Sequence, residues 1–228
     1  MILKIILKYV LSYVPLNLLK KLESNSLIFN HYKRILSIKT YDNRDAYLNK
    51  VSEILNKLDN LIIMEFGVYE GESLKIFSKN ISDPNACFYG FDSFTGLPEK
   101  WLNLDKGYFS TNGCTPNIDD PRIFYQIGLF DQTLPRFLEE LKENSRLDSN
   151  FFIHFDADLF SSTLDVLNQL NNYIPEYYFS FDEFPSDEVR ALYTYELLKK
   201  SKKIEFLFKQ KKDLSIPVAR VFGKISNR

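Results

Sequence analysis

Three carboxylates, Asp156, Asp182 and Glu183, stand directly after two apolar runs that read as neighbouring strands. Oxygen ligands of this kind suit a hard cation such as Mg²⁺, which takes octahedral coordination and keeps waters that a substrate hydroxyl can displace. A hydroxyl held there loses its proton more easily, and a carboxylate beside it can accept that proton, leaving an oxygen nucleophile. The same acids also suit a plainer role, because Asp182 and Glu183 precede a helical segment of the kind that acids cap. His154 lies two residues before Asp156 and projects to the same side of its strand. It is either an alternative base or a hydrogen-bonded core residue. His31, the other histidine, has no partner identifiable from sequence.

A second group surrounds a glycine loop. The run Leu61-Ile62-Ile63-Met64-Glu65-Phe66 passes straight into Gly67-Val68-Tyr69-Glu70-Gly71, and a helical segment opens just after it. Glycines there permit a tight turn and the close approach of a ligand. The pyrophosphate of a dinucleotide would sit on helix N-terminal amides, but Glu65 and Glu70 flank the loop and would repel it. Counted from Gly67, Tyr69 and Glu72 occupy the places of the second and third glycines of the dinucleotide fingerprint. S-adenosylmethionine (SAM), which carries an ammonium and a sulfonium, suits an acidic loop better. Asp92 ends the next apolar run 25 residues after Gly67, where an acid can grip the two hydroxyls of a ribose. An Asp at a strand end is also a common turn residue.

The strings Glu65-Phe66-Gly67-Val68-Tyr69-Glu70-Gly71-Glu72-Ser73 and Phe91-Asp92-Ser93-Phe94-Thr95-Gly96-Leu97-Pro98-Glu99-Lys100-Trp101 resemble the macrocin and mycinamicin O-methyltransferase family. Gly128-Leu129-Phe130-Asp131-Gln132-Thr133-Leu134-Pro135 and His154-Phe155-Asp156-Ala157-Asp158-Leu159-Phe160-Ser161-Ser162-Thr163 extend the resemblance, which covers roughly residues 60–200. It implies a SAM pocket in which Glu65, Gly67, Gly71 and Ser73 hold the methionine end, Asp92 and Ser93 the ribose, and Gly128 with Phe130 the adenine side. The block from Phe91 to Trp101 would lie over the cofactor. The resemblance also assigns metal binding to Asp156, Asp182 and Glu183, with Asp156 able to serve as base. Leu129, Gln132 and Glu183 depart from the family's usual Trp, Asp, and Asp or Asn.

These groups need a scaffold that brings strand ends together. From residue 61 onward, apolar runs rich in β-branched and aromatic residues alternate with segments of helical period. This pattern predicts an α/β fold, a doubly wound, mostly parallel sheet of the Rossmann-like class I methyltransferase type. Strands are expected near 61–66, 87–92, 123–127, 150–155 and 177–182, with helices near 72–80, 132–143, 161–172 and 187–200. The tail at 203–208 and 216–222 reads as a closing hairpin that adds an antiparallel strand. Residues 1–58 read as an N-terminal helical cap or oligomerisation segment over the ligand edge, and residues 59–228 as the methyltransferase domain.

The chain has 228 residues, 45% of them apolar, which is enough for one substantial core. With 29 Lys and Arg against 30 Asp and Glu there is no net basic field, and nucleic acid is not expected as a partner. Cys87 and Cys114 form no disulfide framework or metal-ligand spacing, which fits a reducing cytoplasm. The first 14 residues are apolar but carry Lys4 and Lys8, meet Pro15 and lack a cleavage site, unlike a signal peptide or a membrane span. Ile2, Ile5, Ile6 and Tyr9 alternate with lysines at helical spacing, as in a helix docked on its own domain, on a second subunit or on a membrane surface. A homo-oligomer is the expected outcome. The function expected overall is O-methylation by SAM, assisted by Mg²⁺, of a hydroxyl on a sugar or glycosylated small molecule. An NAD(P)-dependent oxidoreductase and a non-catalytic SAM-binding scaffold are the alternatives.

Overall fold

The six residues Leu61–Phe66 are all buried, which places this run at the centre of a sheet covered on both faces. The computed structural model describes residues 15–211 and 218–228. In chain order it contains α1 (Leu16–Ser26), β1 (Lys39–Tyr41), α2 (Arg44–Leu55), β2 (Leu61–Phe66), α3 (Glu72–Asn80), β3 (Cys87–Asp92) and β4 (Ile123–Ile127). There follow α4 (Phe130–Glu143), β5 (Asn150–Phe155), α5 (Phe160–Leu170), β6 (Tyr177–Phe181), α6 (Val189–Leu198), β7 (Lys202–Gln210) and β8 (Arg220–Asn227). Short irregular turns at Leu27–His31 and Lys33–Ser37 follow α1, and another at Phe184–Glu188 precedes α6.

The eight strands form one sheet in the order β1, β7, β8, β6, β5, β2, β3, β4. All neighbours are parallel except β8, which runs antiparallel to both β6 and β7. This is the expected doubly wound sheet, with the antiparallel strand contributed by the C-terminal hairpin. The second strand of that hairpin lies further along the chain than 216–222, because pairing with β6 continues as far as Ile225. Residues 216 and 217 of that expectation, like the apolar stretch 1–14, lie outside the described residues.

Side-chain alternation divides the core into two layers. Ile62, Met64 and Phe66 point to the face covered by α4, α5 and α6, where Leu138, Leu167 and Leu192 meet them. Leu61 and Ile63 point to the opposite face, under α2 and α3, with Leu48, Val51, Leu74 and Phe77. The segment before residue 60 is not wholly helical: Lys39–Tyr41 pairs in parallel with β7 and lengthens the sheet. Three residues with no apolar alternation give no strand signal, and the pairing partner lies about 170 residues downstream in sequence. Asn43 caps α2 by accepting a hydrogen bond from the Ala46 amide at 2.8 Å. Among the described residues no helix is long and apolar enough to cross a membrane.

One row of residues sets the height of the strand ends. Phe91, Phe66, Phe155 and Phe181 lie in register across β3, β2, β5 and β6. Their rings stack along the row, with centroids 4.7, 6.2 and 4.6 Å apart. Each is the last or next-to-last residue of its strand, so the residues that follow emerge level with one another at the carboxyl edge, where open α/β sheets bind ligands.

Candidate active site

The residues directly after the phenylalanine row are Gly67, Asp92, Asp156 and Asp182, and the main-chain ladder runs on into them. The amide of Gly67 donates to Phe91 O at 3.0 Å, that of Asp156 to Phe66 O at 2.9 Å, and that of Asp182 to Phe155 O at 3.0 Å. Gly67 has φ +93°, and a Cβ there would fall 2.0 Å from the carbonyl oxygen of Asp156. A glycine is therefore required where the turn after β2 touches the turn after β5.

Asp92 holds the glycine loop. Its Oδ2 accepts from the amides of Val68 (2.8 Å) and Tyr69 (2.9 Å), and its Oδ1 from that of Phe94 (2.8 Å). These three bonds occupy most of a carboxylate's roughly four acceptor sites. The acid expected to grip a ribose thus also fixes the loop that would cradle the cofactor. Ser93, beside it, accepts from Thr95 within a local turn.

A cleft of about 620 Å³ opens above these strand ends. Gly67, Asp92, Ser93, Gly128 and Phe130 line one end of it, and Asp156, Asp182 and Glu183 line the other, so eight of the eleven sequence-predicted site residues meet there. Glu65, Gly71 and Ser73 do not line it. Glu65 is fully buried behind the glycine loop, with Oε1 accepting from Ser73 Oγ at 2.7 Å and Oε2 without a hydrogen-bond partner among the described residues. Burial, partly opposed by the Ser73 bond, pushes its carboxyl up to about 8. Leu129 lines the cleft, whereas Gln132 sits at a smaller hollow beside it.

The long connection from β3 to β4 folds over the opening. Leu97 and Trp101 pack on Leu159. Gly107 donates to Leu97 O, and Leu97 to Tyr108 O, closing the flap on itself. Glu99 on the flap accepts from Ser161 Oγ at 2.7 Å, at the start of α5 on the far wall.

The acid end holds more carboxylates than the sequence reading named. Asp158 lines the cleft beside Asp156, and buried Glu188 accepts the Glu183 amide through Oε2 at 3.0 Å. Arg220, the first residue of β8, makes a two-pronged bond to Asp182 at 2.5 and 2.7 Å. Burial works against ionisation of Asp182, but the guanidinium outweighs it and holds that carboxyl below the usual range. The other acids go the opposite way. Burial, followed by repulsion from Asp182, Asp158 and Glu65, pushes Asp156 well up, and burial with repulsion from Glu183 and Asp182 pushes Asp158 to about 7.

His154 is fully buried behind Asp156, and its ring nitrogens make no well-formed hydrogen bond among the described residues, although the main chain of Ser180 lies near enough to favour the charged ring. Burial lowers its pKa to about 4, so the imidazole is neutral near pH 7 and a weak base. His154, Asp156 and Asp182 each place a potential ligand atom within 4.8 Å of the others; Glu183 is exposed and is not part of this cluster. Asp158 was within reach of sequence reasoning, lying two residues after Asp156. Arg220 was not, because its approach to Asp182 depends on β8 inserting beside β6.

Solved structures with the same architecture include the O-methyltransferase NovP (TM-score 0.56, 15% identity, 81% of this chain and 80% of that one). CalS11, a TDP-rhamnose 3′-O-methyltransferase of calicheamicin biosynthesis, aligns with TM-score 0.53 and 18% identity over 95% of this chain and 90% of its own. An O-methyltransferase from Bacillus cereus in complex with SAH aligns with TM-score 0.51 and 13% identity over 96% of both chains. The fold is that of the class I methyltransferases. No protein-family model matches the sequence, and no curated protein does.

Proposed function

We propose that this chain is a SAM-dependent O-methyltransferase that acts, with a divalent cation, on a hydroxyl of a sugar or glycosylated small molecule, in the manner of the macrocin and mycinamicin enzymes. The observation that carries this reading is one cleft with Asp92 and the glycine loop at one end and Asp156, Asp182 and Glu183 at the other. Its volume lies within the roughly 300–1,000 Å³ of small-molecule sites. An acidic lining suits a cofactor that carries an ammonium and a sulfonium, and bound SAM supplies an electrophilic methyl group. An NAD(P) oxidoreductase is disfavoured, because the Val68 and Tyr69 amides that a pyrophosphate would use are bonded to Asp92.

The acid end fits a cation on two grounds. Burial and the mutual repulsion of its carboxylates raise Asp156 and Asp158, which a cation would relieve, and the buried nitrogens of His154 make no well-formed hydrogen bond among the described residues. Asp156 and Asp182 would hold the ion, with Glu183 from the rim or His154 from behind, and when bound it eases ionisation of a nearby hydroxyl. Asp156 would take the acceptor's proton on a carboxylate oxygen that the ion leaves free. Arg220 keeps Asp182 ionised beside it.

A TDP-rhamnose 3′-O-methyltransferase shares the fold, which makes nucleotide sugars the first acceptors to test. Mass spectrometry should detect methyl transfer from SAM across nucleotide sugars and glycosides with Mg²⁺ or Mn²⁺, and much less with chelator. Asp156→Asn should lower turnover about a hundredfold or more while leaving SAM affinity within a few-fold. Full rate in chelator would remove the metal from the mechanism, and SAM binding without turnover on any acceptor would favour a non-catalytic scaffold.

A further inference from the structure

The N-terminal part of the chain differs in charge from the rest. Residues 1–34 contain six basic residues (Lys4, Lys8, Lys20, Lys21, Lys33 and Arg34) and one acid (Glu23), a net +5 in a chain whose total is −1. They are also strongly apolar, and in the described part some of that apolar surface faces outward: Leu22 is 55% exposed and Phe29 52%. Next to them, Leu197 and Leu198 at the end of α6 are 54% and 63% exposed. The two patches adjoin, because the His31 ring packs on Tyr193 with centroids 4.7 Å apart and its Nε2 lies 3.0 Å from Glu196. Lys33, Arg34 and Lys200 are exposed around this surface.

We propose that residues 18–34 and the exposed end of α6 form a surface that binds an anionic lipid bilayer. Apolar side chains rimmed by lysine and arginine are the pattern of a segment that lies in the headgroup region without crossing it. Charge selects this occupant over a second copy of the chain. In a two-fold contact the same patch meets itself, so the basic rims would face one another. Phosphate headgroups would neutralise them. The surface also lies close to the cleft: Ser24 Oγ donates to Ser186 O at 2.9 Å, and Arg190 bonds Glu23 at 2.7 Å, so α1 is fastened to the segment that follows Asp182 and Glu183. This inference does not depend on the reaction proposed above.

The test is flotation of the full chain with vesicles of phosphatidylcholine alone or with about one-third phosphatidylglycerol, at about 0.1 M and about 0.5 M salt. Binding should be at least about tenfold tighter to the anionic vesicles and should weaken in high salt. Leu22→Glu with Phe29→Glu should abolish it, and Lys33→Glu with Arg34→Glu should weaken it about tenfold or more, both with unchanged thermal unfolding. Equal binding to the two vesicle types, or none, would overturn the proposal. So would a dimer in sedimentation that Leu22→Glu dissociates while the wild type leaves the vesicles unbound.

Discussion

Replacing Gly67 by alanine tests whether the contact between the two halves of the cleft is as tight as the geometry requires. Two costs are expected. At φ +93° any L side chain is strained, by about 1–2 kcal/mol. The new Cβ would also fall 2.0 Å from the Asp156 carbonyl oxygen, a main-chain atom that cannot swing aside. Overpacking of this kind costs about 1–3 kcal/mol. Gly107 provides the control, since it has φ +86° but nothing within 4 Å of its added Cβ. Urea unfolding should therefore show Gly107→Ala destabilised by about 1–2 kcal/mol and Gly67→Ala by about 2–5 kcal/mol. The difference isolates the contact with Asp156. Equal losses in the two variants, within about 0.5 kcal/mol, would show that the turns after β2 and β5 separate freely, and the stated reason for a glycine at 67 would be wrong.

Asp92→Ala removes the acceptor of three main-chain amides, and SAM affinity by calorimetry should fall about ten- to hundredfold, as expected for losing bonds to an ionised acceptor; unchanged affinity would take Asp92 out of the cofactor site. Glu65 gives a pH prediction. Its carboxyl, at about 8 in the folded chain against an ordinary 4.5, binds its proton more tightly when folded. The resulting stabilisation is full below about pH 4.5 and is lost as pH rises toward 8, with a slope of up to about 1.4 kcal/mol per pH unit. Glu65→Gln should reduce the wild-type fall in stability between pH 5 and 8, measured by urea unfolding; identical slopes would mean that Glu65 is ionised when folded.

The sheet was legible because four of its strands are short apolar runs closed by glycine or acid. Leu61–Phe66, Cys87–Asp92, Ile123–Ile127 and Asn150–Phe155 have the bounds that the pattern gives. The cleft residues were legible for a related reason: each follows one of those runs, and the phenylalanine row turns the sequence offset into a common height. What the sequence could not show depends on tertiary neighbours. Lys39–Tyr41 becomes a strand only because β7 offers an edge. Arg220 meets Asp182 only because β8 lies beside β6, and Glu188 reaches the Glu183 amide through the irregular turn before α6. The family resemblance put Glu65 and Ser73 at the methionine end of the cofactor, but motif spacing does not tell a residue that lines a cleft from one buried behind it.

The fastening of α1 has a consequence for how distant parts of the chain influence one another. Ser24, Lys20 and Glu23 hold Ser186, Asp187 and Arg190, and the same stretch supplies Glu188, which fixes the Glu183 amide. A change in the seating of the helix would therefore be felt at the acids. A ligand that steadies α1 would act on the acids only by its difference in affinity for their arrangements, and a ligand of the acids would return the same factor. Asp92 is one step further away, because it bonds the Val68 and Tyr69 amides of the loop that begins at Gly67, where the turn touches Asp156. A disturbance of α1 should reach Asp182 and Glu183 first, and Asp92 only through the turn at Gly67.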